Sequence, residues 1–140
     1  MKRYLGIDLG SKTIGLSISE SGVIAQALTT LRFKEDDYDE AVTLIKEQIE
    51  KLKIDVVVLG YPKHMNNDVG KRGLISEQIK EKLETLSSVN VVLQDERLST
   101  KSALNVMISG GTSRKKQKQK KDELAAVIIL QNYLNRNEGF

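Results

Sequence analysis

The residues of this 140-residue chain best suited to chemistry are acids standing at the ends of apolar runs. Asp8 closes one such run, Asp95-Glu96-Arg97 follows a second, and Asp122 precedes a third. With no cysteine and one histidine, His64, the chain has no thiol nucleophile, no Cys-ligated zinc and no histidine-rich metal site. Any metal must be held by carboxylates, which selects hard divalent ions such as Mg²⁺ or Mn²⁺. Each acid alone has an ordinary structural reading. Asp8 could cap a turn through the Ser11 or Thr13 amide, Arg97 could neutralise one of its acidic neighbours, and Asp122 could offset a helix dipole by about 0.3 to 1 kcal/mol. Together, three acids from separate elements beside a strongly basic segment form the donor set that metal-assisted phosphodiester hydrolysis requires.

The basic segment is compact. Lys and Arg number 22 against 19 acids, and six of those cations, Arg114, Lys115, Lys116, Lys118, Lys120 and Lys121, fall within eight residues. Without them, sixteen cations face nineteen acids, so the basicity is local and points to an anionic partner at one place. Lys12, Lys63 and Arg97, in turns and loops near the acids, extend the expected phosphate-contacting set. Four Tyr, two Phe and no Trp give little capacity for base stacking, which favours structured or duplex-containing nucleic acid over single strands. His64 reads as an exposed loop residue. Gly10-Ser11-Lys12-Thr13 lacks the spacing of a phosphate-binding P-loop.

The elements that must position these acids follow from periodicity. Arg3–Leu9 reads as a buried strand with Leu5, Ile7 and Leu9 on one face and Gly6 and Asp8 on the other, so the glycine leaves room beside the carboxylate for another element or a ligand. Gly10–Thr13 turns into Ile14–Ser19, and Ser21-Gly22 turns into a third strand over Val23–Leu31. Tyr38, Val42, Ile45, Ile49 and Leu52 share a helix face, with Asp37 as N-cap and Glu40 three residues on. Val56–Leu59 has the continuous apolar character of a doubly covered parallel strand, ended by Pro62. After a polar loop, Leu74 or Ile75, Ile79, Leu83 and Leu86 mark a second helix, and Asn90–Gln94 a fifth strand. Ser99–Ile108 reads as a third helix ended by Gly110-Gly111, and Asp122–Leu134 as a largely buried last one. Ala125 and Ala126 let that last helix approach the sheet closely. The order predicts a single α/β domain over residues 1–140, with a five-stranded mixed sheet, the first strand near its middle and helices on both faces. No apolar run reaches membrane-spanning length, and no cleavable leader pattern follows Met1-Lys2-Arg3, so a cytoplasmic protein with no membrane partner is expected.

Four motifs, Gly6-Ile7-Asp8-Leu9-Gly10-Ser11-Lys12-Thr13-Ile14-Gly15, Gly60-Tyr61-Pro62 with Met65-Asn66, Asp95-Glu96-Arg97-Leu98-Ser99-Thr100, and Ser113-Arg114-Lys115-Lys116 leading to Asp122-Glu123-Leu124-Ala125-Ala126, together resemble the YqgF family of bacterial RNase H-like nucleases. The match runs through nearly the whole chain in order. It departs from the family at Asn67-Asp68, where glycine commonly follows Met-Asn, and at Gln117 and Gln119, which interleave the lysines. The resemblance implies an RNase H-like fold, with Asp8, Glu96 and Asp122 as metal-binding catalytic acids and Asp95 as a supporting one. It further implies a two-metal hydrolysis that needs no side-chain nucleophile. The implied substrate is structured RNA, foremost the 5′ end of the 16S rRNA precursor, with the ribosome as a further partner. Branched DNA cut as a Holliday junction is the alternative, and a non-catalytic RNA-binding assembly module the second. A monomer or weak homodimer is expected. An actin-like ATPase, whose first phosphate motif resembles Gly6-x-Asp8-x-Gly10, would need two such domains, which this length does not supply.

Overall fold

A computed structural model describes residues 2–61, 70–95 and 114–137. Eight elements follow in order: β1 (Tyr4–Leu9), β2 (Thr13–Ser19), β3 (Gln26–Arg32), α1 (Tyr38–Leu52), β4 (Val56–Tyr61), α2 (Gly70–Leu86), β5 (Asn90–Asp95) and α3 (Arg114–Asn137). The strands make one mixed sheet in the order β3-β2-β1-β4-β5. β1 pairs antiparallel with β2 and parallel with β4, which places it at the centre as its apolar character requires.

The two faces bury different sets. Leu5, Ile7, Ile14, Leu16, Val57 and Leu59 pack against Ile45 and Ile49 of α1 and Ile79 and Leu83 of α2. On the other face Val56 and Val58 meet Ile129, Leu130 and Leu134 of α3. Helix α1 starts as its sequence dictates, with the Asp37 carboxylate accepting from the Glu40 amide at 3.2 Å. It ends at Lys53, whose left-handed backbone (φ 54°) closes the last turn onto the Ile49 carbonyl.

Three expectations are corrected. The third strand begins at Gln26 rather than Val23, because the Ser21 hydroxyl accepts from the Val23 and Ile24 amides and holds those residues in a turn. Leu86 does not join the buried face of α2 but stands 54% exposed, since the helix ends there and Val89 takes over the packing. The last helix starts at Arg114, eight residues before Asp122: the Lys, Arg and Gln of the basic segment are good helix formers with no glycine or proline among them. The expected helix over 99–108, Gly110-Gly111, and the loop with Lys63, His64, Asn66 and Asn67 lie outside the described residues.

Candidate active site

The register of the sheet builds the site around Asp8. Asp8 faces Gly15 on β2, and Gly15 in turn faces Thr30 on β3. On the other side Ile7 pairs with Leu59, so the next row joins Asp8 to Gly60, which pairs with Gln94 of β5. One row, Thr30–Gly15–Asp8–Gly60–Gln94, therefore crosses the sheet on the face covered by α3. Both strand neighbours of Asp8 lack a side chain, so neither β2 nor β4 crowds the half-buried carboxylate from the side.

Helix α3 is drawn onto this face by small groups. A Cβ on Gly6 would lie 2.3 Å from Ser17 Oγ, 2.7 Å from Leu130 Cβ and 2.9 Å from the Ala126 carbonyl oxygen, so only glycine lets the helix sit this close. The buried Ser17 hydroxyl donates to that carbonyl at 2.8 Å. Tyr133 packs its ring on Tyr4, with centroids 6.1 Å apart. The helix thus runs antiparallel to β1, with Tyr133 over Tyr4 and Ala126 over Gly6. One turn back from Ala126, about 6 Å at 1.5 Å per residue, is position 122; two residues on from Gly6, about 6.6 Å, is Asp8. The two positions stand at the same height. Thr30 in the Asp8 row donates to Glu123 Oε1 at 3.4 Å, which fixes the same level independently. Of the two occupants that alternation along β1 left open, an element or a ligand, the last helix fills the room beside Gly6.

The remaining predicted residues distribute as follows. Asp95 ends β5, paired in register with Tyr61 rather than with the Asp8 row. Glu96, Lys63 and Arg97 lie outside the described residues, as do the side chains of Asp95, Asp122 and the basic stretch. Lys12 is exposed in the β1–β2 turn. Arg114, Lys115, Lys116, Lys118, Lys120 and Lys121 occupy the first two turns of α3. Among the described residues no three of His, Cys, Asp and Glu form a metal-holding group. The donor chemistry nonetheless fits a hard divalent ion, because Asp8 stands on a cleared row at strand carboxyl ends and helix position 122 is level with it.

Two polar residues of the Asp8 row escaped the sequence reading. Gln94 is buried, and its signal was a lone polar residue closing the apolar run Val91-Val92-Leu93. Thr30 had no signal, since its row is set by the register of two hairpins. On the opposite face the Tyr61 hydroxyl donates to Glu77 Oε1 at 3.0 Å, and burial, reinforced by that carboxylate, raises its pKa.

Residues 2–136 match the family model described as "RuvX: Holliday junction resolvase". The chain belongs to the RuvX (YqgF) family. A relative from Onion yellows phytoplasma is 47% identical over 132 residues, 94% of this chain and 87% of its own length, and is named "Putative pre-16S rRNA nuclease". A Bacillus subtilis relative of the same name is 45% identical over 134 residues, 95% of this chain and 97% of its own. Thermus thermophilus RuvC, solved in complex with a Holliday junction substrate, superposes with a TM-score of 0.64 at 15% identity, covering 99% of this chain and 97% of that one. At that identity the RuvC likeness is one of fold, and the RuvX-family chain has the RNase H-like architecture its motifs imply. Among the described residues no helix is long and apolar enough to cross a membrane.

Proposed function

We propose that this chain is a metal-dependent nuclease hydrolysing phosphodiester bonds, acting as one domain in the cytoplasm on the 5′ end of the 16S rRNA precursor. The reading rests above all on the placement of Asp8, on a row cleared by Gly15 and Gly60 and level with helix position 122. The names of the relatives point to the same chemistry and to the precursor RNA.

Asp8, Glu96 and Asp122 are the residues to hold Mg²⁺ or Mn²⁺. When bound, the ions supply Lewis acidity to the attacking water and to the departing 3′ oxygen. The protein's own part is to hold carboxylates at fixed height on a rigid strand and a locked helix, so that the scissile phosphate meets a preorganised set of charges. Glu96 is the third acid that the family motif implies, while Asp95 pairs with Tyr61 outside the Asp8 row. The cations of the first two turns of α3 supply phosphate contacts that position substrate without reading its sequence.

The family's description favours a second reading, resolution of a four-way DNA junction. Incubation of an rRNA-precursor end and a four-way junction with the protein and Mg²⁺ or Mn²⁺ separates the two. The proposal expects cutting of the RNA, lost in Glu96→Gln and largely kept in Asp95→Asn. Cutting of the junction alone selects the second reading, and no cutting of either selects a binding module.

A further inference from the structure

We infer that Arg32 and Lys34, with Lys12, form a second phosphate-binding edge, on which the substrate backbone continues outward from Asp8 across β2 and β3. This rests on the nuclease reading and extends its substrate contacts from the basic helix onto the β3 edge of the sheet. The three cations are gathered by backbone hydrogen bonds. The Phe33 amide donates to the Lys12 carbonyl at 3.1 Å, the Asp36 amide to the Ser11 carbonyl at 2.8 Å, and Thr13 pairs with Arg32 in the sheet. The segment 32–36 thus lies alongside the β1–β2 turn, and the three side chains share one rim.

Parity places Arg32 on the Asp8 face. Thr30 stands in the Asp8 row, and Arg32, two residues further along the strand, has the same orientation one step nearer the rim. β3 lies two strands from β1, about 10 Å across, which is the rise of about three nucleotides along a duplex strand. All three cations are exposed, and the ion pairs formed among the described residues, Lys46 with Glu50 and Lys82 with Asp39, do not use them. The acids that follow in sequence are turned to local tasks. The Asp36 carboxylate accepts from the Tyr38 hydroxyl at 3.2 Å, and that of Asp37 caps α1. Among the described residues no acid, Glu35 and Glu123 included, forms an ion pair with Arg32 or Lys34. A cationic edge continuous with the acid row, on a backbone braced at two points, suits a rigid polyanion. β3 also carries an irregular register opposite Leu16 and Ser17, which discourages its use as an edge for another strand.

The test measures binding of a labelled four-way DNA junction and a labelled RNA stem with a 5′ extension, in an Asp8→Asn background, as a function of salt. Arg32→Gln/Lys34→Gln is compared with Lys46→Gln/Lys51→Gln, which removes equal charge from α1 on the opposite face. The inference expects the edge variant to weaken binding of at least one probe about ten-fold at 0.1 M salt and to lessen the slope of log K against log salt by about 2, with the α1 variant near the background protein. Equal behaviour of the two variants overturns the edge while leaving the nuclease reading intact. Failure of the background protein to bind either probe overturns both.

Discussion

Gly6 decides how near the last helix comes to the central strand. A methyl group there would press on the Ala126 carbonyl and on Leu130, and backbone cannot yield as a flexible side chain would. Gly6→Ala is expected to destabilise the fold by about 1 to 3 kcal/mol, read as a lower urea midpoint with an unchanged m-value. Tyr61 couples stability to alkaline pH. Its hydroxyl is held above the ordinary 10.0 by burial and by Glu77, as Tyr133 is by burial and then by Tyr4. The folded state then keeps protons that the unfolded chain releases, so the contribution is complete below about pH 10 and is lost as pH rises through the folded values. Urea unfolding from pH 8 to 11 should show stability falling at the alkaline end, and Tyr61→Phe should flatten that fall. The pairing of Gly6 with Asp8 on one face was legible from alternation alone. The glycines flanking Asp8 were not, because Gly15 and Gly60 reach it only through register, which a hairpin turn and a parallel crossover set together.

Helix α3 carries position 122 and must not slide along β1. Ser17 holds it by one buried hydrogen bond to the Ala126 carbonyl. Gln131 clasps the β2–β3 turn, its Oε1 accepting from the Ala25 amide at 2.9 Å and its Nε2 donating to the Val23 carbonyl at 2.8 Å. Ser17→Ala removes a donor without adding bulk and is expected to cost about 1 kcal/mol in denaturant unfolding. Element order and the cap of α1 followed from sequence because period and capping chemistry are local. The start of β3 did not, since a serine side chain competed with the sheet for the amides of Val23 and Ile24. Nor did the start of α3, since residues 114–121 are all polar and carry no apolar period to mark a helix.

For the whole molecule, charge and fold act together. The remainder of the chain is net acidic, and the six cations of 114–121 occupy the end of α3 where the helix dipole is already positive. Their mutual repulsion is relieved by a bound polyanion, so affinity should fall steeply with salt. Lys115→Gln/Lys116→Gln/Lys118→Gln should lessen the slope of log K against log salt by about 2 to 3 for a duplex-containing probe, measured by fluorescence anisotropy. The same helix thus brings its cationic end and position 122 to the side of the sheet where the central strand carries Asp8. The most direct test of that arrangement is cleavage of a labelled rRNA-precursor end by wild type and Asp8→Asn in Mg²⁺ or Mn²⁺, with urea unfolding of both proteins. Metal-dependent cutting by wild type is expected, with a loss exceeding the 10- to 100-fold typical of indirect metal-site changes in a variant that still folds. Undiminished cutting by a folded Asp8→Asn protein would contradict it.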